Sequence, residues 1–155
     1  MLELGAGGGA NAAALLNRFP GWRMTVTDVD PDMVALASAR LARFGERARL
    51  SAEDAGALAF ADASFDVVIS LLTWHHVSDP DAAAREVRRV LRPAGQFVFA
   101  DVYGHGVFGP CARWMTPVRR YTPQQLLDSL TEAGLRVERI RSWAGIGCAL
   151  VARRQ

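Results

Sequence analysis

Met1-Leu2-Glu3-Leu4-Gly5-Ala6-Gly7-Gly8-Gly9-Ala10 opens the chain, and this stretch decides the fold. Leu2–Leu4 reads as the stub of a buried strand, and the glycines carry the chain out of it into a helical pattern. Open α/β sheets use such a turn to bring backbone close to a ligand, because glycine adopts positive φ and places no Cβ in the way. On that reading Gly5, Gly7 and Gly9 all clear space for a bound molecule. The spacing Gly5-x-Gly7-x-x-Ala10 fits the dinucleotide fingerprint in its Gly/Ala form. Overlapping it, Glu3-x-Gly5-x-Gly7-x-Gly9 puts a carboxylate at the foot of the same loop. A negative charge there is poor company for a pyrophosphate.

Downstream, apolar runs alternate with helical patterns, as in βαβ units around a mainly parallel sheet. Asn11 to Phe19 is helical and stops at Pro20-Gly21; Met24 to Thr27 is a second strand. Asp30-Pro31-Asp32 then starts a helix, with an Asp cap, a proline suited to the first position and an acid at the positive end of the dipole. That helix carries Met33, Val34, Leu36, Ala37 and Leu41 and ends near Gly45. Arg49–Ser51 is a short strand. Phe65–Ser70, a continuous apolar run after Asp66, is the strand covered on both faces. Ser78-Asp79-Pro80-Asp81 starts a helix with Ala83, Val87, Val90 and Leu91 on one stripe, and Pro93-Ala94-Gly95 turns into a strand Gln96–Ala100. Residues 102–121 look irregular. Thr122-Pro-Gln-Gln125 is a capping box for a helix closed by Gly134, and Leu135–Ile140 with Cys148–Ala152 forms an antiparallel pair.

At 155 residues, half of them apolar, the chain has the size of one domain, residues 1–155, with a core of its own. No apolar run reaches the roughly 20 residues of a membrane span, and no signal-peptide pattern opens the chain, so the expected compartment is the cytoplasm. All 18 basic residues are arginine. Without lysine the chain can build neither a phosphate-binding P-loop nor a Schiff-base site. The first 100 residues carry a net −2 and the remainder +4, too little for a nucleic-acid partner without interleaved aromatics. Cys111 and Cys148 are far apart and share no metal-ligand spacing, so two inert thiols and no metal site are expected.

Three further positions lie at the carboxyl ends of successive strands, where open sheets bind ligands. Asp28 follows Gly9 by 19 residues, close to the distance at which an acid reaches ribose hydroxyls. Asp54-Ala55, after the third strand, can accept from an adenine amino group, and Ser70-Leu71 ends the fourth strand. Together with LELGAGGG, the segments TDVDPDM, EDAGALAF, SFDVVISLLTWHHVSDP and REVRRVLRPAGQFVFAD resemble the class I S-adenosylmethionine-dependent methyltransferases. The likeness is to their small-molecule, ubiquinone-biosynthesis-like type 11 subgroup, and it covers nearly the whole chain.

The resemblance implies a Rossmann-like α/β fold with a seven-stranded, mostly parallel sheet in the order 3-2-1-4-5-7-6 and strand seven antiparallel. It implies S-adenosylmethionine as cofactor, with Glu3, Gly5, Ala6 and Gly7 on the methionine part. Asp28 and Val29 then take the ribose and adenine, Asp54 and Ala55 the adenine edge, and Ser70 and Leu71 the surroundings of the sulfonium. A carboxylate at position 3 suits an ammonium and a sulfonium. The dehydrogenase alternative fails on the short-chain type's Tyr-x-x-x-Lys pair, since Tyr103 and Tyr121 have no lysine to use. The family normally carries one or two helices ahead of the first strand, so a late-called start, a fragment truncated at its N-terminus, or a partner that replaces the lid is expected. The expectation is therefore methyl transfer to a small-molecule acceptor by in-line displacement. The alternative is a truncated or non-catalytic domain that binds the nucleoside weakly or serves as a partner subunit, with a homodimer or a lid-supplying partner covering the cofactor.

Candidate bases are His76, where the family often has a histidine, and His75, followed by Asp101, Tyr103 and His105. Asp66 begins its strand and reads as structural. Trp74, Phe108, Trp114 and Trp143 offer an aromatic wall for a planar acceptor, but core packing explains most of them, Trp114 in its irregular stretch excepted. Arg113, Arg119 and Arg120 are candidates for an acceptor's carboxylate or phosphate, with a solvated loop the preferred reading.

Overall fold

A computed structural model describes residues 1–102, 121–143 and 147–155. Seven strands, β1 (Leu2–Leu4), β2 (Met24–Asp28), β3 (Ala48–Ala52), β4 (Phe65–Leu71), β5 (Leu91–Val102), β6 (Leu135–Trp143) and β7 (Gly147–Arg154), form one sheet. Its order is β3-β2-β1-β4-β5-β7-β6. The first five strands run parallel, and β7 is antiparallel to both β5 and β6, as the family resemblance implies.

Helices α1 (Ala10–Arg18), α2 (Pro31–Leu41), α3 (Pro80–Val90) and α4 (Pro123–Glu132) cover both faces. Side chains alternate across a strand, so each face gathers its own core. Leu2, Leu4, Val68, Phe97 and Phe99 pack with Ala83, Val87 and Val90 of α3 and Leu126 and Leu130 of α4. On the other face, Val26 and Ile69 pack with Ala12, Ala13 and Leu16 of α1 and Ala37 and Leu41 of α2. Glu3 stands in register between Val26 and Ile69, so its carboxylate enters the α1–α2 side.

Three helix starts follow the sequence signals. Asp30 and Asp79 accept from Asp32 N and Ala82 N ahead of their prolines, and Thr122 and Gln125 form the reciprocal capping box. Two local readings change. Leu91 ends the helical stripe by entering β5, and the Pro93–Gly95 turn lies inside that strand. Phe65 pairs with Leu91 but Val67 pairs with Gln96, so the intervening β5 residues bulge out, with Ala94 at φ +61°. Of the tryptophans, Trp74 is buried between Phe97 and Phe99, whereas Trp143 is exposed and leaves the core. Asp66 pairs with Arg92 on an exposed rim, a structural role. Tyr103, His105, Phe108, Cys111, Arg113, Trp114, Arg119 and Arg120 lie outside the described residues. Among the described residues no helix is long and apolar enough to cross a membrane.

Candidate active site

The glycine loop is pinned from two sides. Ala6 N donates to Thr27 O and Gly7 N to the Asp28 carboxylate at 2.7 Å, tying the loop to the end of β2. The Thr73 hydroxyl donates to Gly5 O at 2.7 Å, tying it to the segment that leaves β4. Glu53 N donates to Asp28 O, which brings the exit of β3 to the same place. Four strand ends thus meet at one loop, the crevice position of an open α/β sheet.

Within the loop the glycines have different tasks. A Cβ at Gly5 would lie 1.9 Å from Thr73 Cγ2, and one at Gly9 would lie 3.0 Å from Ala37 Cβ. Gly5 therefore lets the β4 exit approach, and Gly9 lets α2 pack, which corrects the reading in which all three face a ligand. Gly7, with φ +50° and nothing within 4 Å of a built Cβ, is the open one. A narrow crevice under it is lined by Ala6, Val26, Asp28, Val34 and Leu50. A separate hollow of about 310 Å³ lies between the start of α3 and the length of α4 and touches none of the loop.

Beneath this loop sits Glu3, 1% exposed, with neither carboxylate oxygen hydrogen-bonded. Burial pushes its carboxyl up to about 7; the Asn11 side chain and Ala12 backbone at the start of α1 draw it only partly back. Neither group makes a well-formed hydrogen bond to it, so this buried carboxylate is under-satisfied by the chain itself. Ser70 Oγ is likewise buried without a partner, on the opposite face between Leu4 and Phe99. Leu71 is half-buried at the end of β4.

Other predicted residues are placed less tightly. Asp28 uses its second oxygen on Asp30 N, leaving the group half-buried at the cleft. Val29 is exposed beside it. Asp54 turns its carboxylate onto Gly56 N and is exposed, while Ala55 packs against the α3-side core.

After β4 the chain passes through Leu72, at φ +57° and exposed, a left-handed conformation that is strained for leucine. A 3-10 turn, Trp74–His76, follows. His75 Nδ1 lies 2.6 Å from Asp101 Oδ1 at the end of β5, and the His75 backbone N–H donates to the other Asp101 oxygen. The His76 ring lies against that of His75, the centroids 4.1 Å apart and the planes tilted by 47°. Burial and His75 lower the His76 pKa, with Asp101 and Asp28 opposing, so its ring lies within electrostatic reach of the β2 end. Sequence reasoning missed Leu72 and Thr73: no spacing marks a hydroxyl whose task is to hold one glycine carbonyl.

Residues 2–99 match the family described as a methyltransferase domain, type 11. The malonyl-[acyl-carrier protein] O-methyltransferase of Geobacter sulfurreducens is 38% identical over 108 residues, 70% of this chain and 40% of that protein. Among solved structures, the [4+2]-cyclase SpnF superposes with a TM-score of 0.86 at 24% identity, covering 99% of this chain and 73% of that one. The geranyl diphosphate C-methyltransferase of Streptomyces coelicolor, solved with S-adenosyl-L-homocysteine, gives 0.87 at 12% identity, with 99% and 70% covered. Those two likenesses show the fold; the family match shows more. The chain belongs to the class I S-adenosylmethionine-dependent methyltransferases of the small-molecule type. It spans about a third to a half of the length of the curated relatives it matches.

Proposed function

We propose that this chain binds S-adenosylmethionine at the four strand ends and transfers its methyl group to a small-molecule acceptor by in-line displacement. The observation that carries the reading is Glu3: a buried carboxylate without a partner, under an open glycine loop, fits a ligand with an ammonium and a sulfonium. Glu3 takes the ammonium while Ala6, Gly7 and the backbone of Gly5 line the methionine part. Asp28 holds the ribose hydroxyls, Val29 covers the adenine, and Asp54 with Ala55 meets its edge. Ser70 and Leu71 surround the sulfonium. The cofactor brings an already activated methyl group, so the chain's share is to orient the two reactants and exclude water.

The exposed apolar side chains of Val29, Leu36 and Leu72 around the loop support a covering element over the mouth, supplied by a partner or a second copy. Family membership favours catalysis over a non-catalytic subunit, and we read the site of action as the cytoplasm. Calorimetric titration with S-adenosylhomocysteine tests the reading. The wild-type chain is expected to bind, and Asp28→Ala to lose about 10–100-fold in affinity, hydrogen bonds to a charged group contributing about 1.5–3 kcal/mol. Absence of binding, or equal affinity in the variant, overturns the assignment.

A further inference from the structure

We propose that the two turns at the amino ends of β2 and β3 form a docking surface for an anionic lipid bilayer, a role independent of the methyl-transfer reading above. One turn, Arg18-Phe19-Pro20-Gly21-Trp22-Arg23, leaves α1; the other, Ala42-Arg43-Phe44-Gly45-Glu46-Arg47-Ala48-Arg49, leaves α2. Distant in sequence, they are joined in the fold, where Arg47 donates to Leu16 O at 3.2 Å and to Pro20 O at 2.8 Å. Together they hold five arginines and one glutamate, although the first 100 residues carry a net −2. Folding thus gathers positive charge and aromatic rings that residue order leaves scattered.

Elsewhere arginines meet carboxylates: Arg89 pairs with Glu86 and Asp62, Arg92 with Asp66 and Arg153 with Glu138. Among the described residues no carboxylate lies within ion-pair distance of Arg18, Arg23, Arg43, Arg47 or Arg49. Here the guanidiniums rest on rings instead. Arg18 Cζ lies 5.3 Å from the Phe19 centroid, and those of Arg43 and Arg47 lie 4.8 and 5.3 Å from that of Phe44. Trp22 stacks on Phe19 with centroids 4.0 Å apart and remains 39% exposed. A Cβ built on Gly21 or Gly45 meets nothing within 4 Å, so both tips stand clear of the rest of the chain.

An exposed tryptophan among arginines without counter-charges suits a bilayer surface: the ring settles at headgroup depth while the guanidiniums reach lipid phosphates. A nucleic acid needs open ring faces for its bases and a groove for its backbone. In these turns Phe19 and Trp22 already face each other, Phe44 carries two guanidiniums, and the hollows of the described residues lie elsewhere. The turns enter the amino ends of β2 and β3, whereas the glycine loop follows the carboxyl end of β1 in the same parallel sheet. Docking therefore turns the cleft away from the bilayer, towards the aqueous side.

Vesicle flotation of the whole chain tests this, with phosphatidylcholine alone or with one-third phosphatidylglycerol. At about 0.1 M salt the chain is expected to float with the anionic vesicles and not with the neutral ones, and to leave them at about 0.5 M, where screening shortens the reach of surface charge. Arg18→Gln with Arg43→Gln should weaken binding about 30-fold, each arginine contributing about fivefold. Arg18→Lys with Arg43→Lys keeps the charge and should bind as the wild type does. Circular dichroism checks each fold, and Arg23→Gln replaces Arg18→Gln if the stack on Phe19 is needed for folding. Tryptophan emission should shift to the blue on binding, and the shift should vanish in Trp22→Phe. No flotation with anionic vesicles, equal flotation with neutral ones, wild-type binding by the glutamine pair, equal loss in the lysine pair, or a blue shift that persists in Trp22→Phe overturns the proposal. Release from the vesicles by a single-stranded oligonucleotide assigns the patch to nucleic acid and overturns it as well.

Discussion

Two buried carboxylates at strand ends are treated in opposite ways. Glu3, at β1 on the α1–α2 face, has no hydrogen bond to either oxygen, and burial raises its carboxyl to about 7. Asp101, at β5 on the α3–α4 face, accepts three hydrogen bonds, two of them from backbone. The fold can therefore satisfy a buried acid where it fixes permanent geometry. It leaves the other without a hydrogen bond beneath the glycine loop. Around Glu3 the chain spends its irregular backbone on approach: Gly5, Gly7 and Gly9 all have positive φ. Around Asp101 the strands are long and paired on both sides.

The largest effect should come from closing the approach near Glu3. Gly5→Ala drives a methyl into Thr73 at a φ of +62°, and a short branched side chain held by its own hydrogen bond has little room to yield. Thermal unfolding is expected to show a loss of about 3 kcal/mol or more, overpacking and left-handed strain adding. An unchanged midpoint would mean that the loop and the β4 exit are not packed as described.

Next comes Glu3 itself. Its folded pKa lies above the unfolded value, so the folded state holds the extra proton between them. Stability of the ligand-free chain from this group is fully present below about pH 4 and falls as pH rises towards 7, by about 3 kcal/mol at the limit. Glu3→Gln should stabilise the free chain at pH 8 by about 1–3 kcal/mol in chemical denaturation and flatten that part of the pH profile. Destabilisation of similar size would show that Glu3 already has a partner.

At Asp101 the sign reverses. Asp101→Asn removes an acceptor from buried N–H groups, and a destabilisation of about 1–3 kcal/mol is expected at pH 8, where Glu3→Gln stabilises. Equal signs in the two variants would erase the contrast. The smallest effect belongs to His76→Ala, exposed and unoriented, where unfolding is expected to shift by less than about 0.5 kcal/mol.

Much of this was legible from residue order. The three proline-bearing helix starts and the loop over Glu3 follow from caps and glycine spacing, whereas the strand order is what the family resemblance implies. What stayed hidden depends on contacts between distant segments. Gly9 looked like a ligand glycine because its neighbour Ala37 belongs to another helix. Thr73 carries no signal because its partner is a carbonyl 68 residues away. His75 and His76 are adjacent and chemically identical in sequence; only the position of Asp101 separates them. The β5 bulge was misread as a turn because both use the same Pro-Ala-Gly residues, and pairing with β4 decides between them.

The most direct measurement is the affinity of the chain for S-adenosylhomocysteine at pH 8 and pH 6, in the wild type and in Glu3→Gln. If an ammonium completes the Glu3 site, wild-type binding weakens by about tenfold at pH 6, as protonation competes for the carboxylate, and the variant binds weakly at both. No binding, or one affinity shared by both proteins at both pH values, would contradict it.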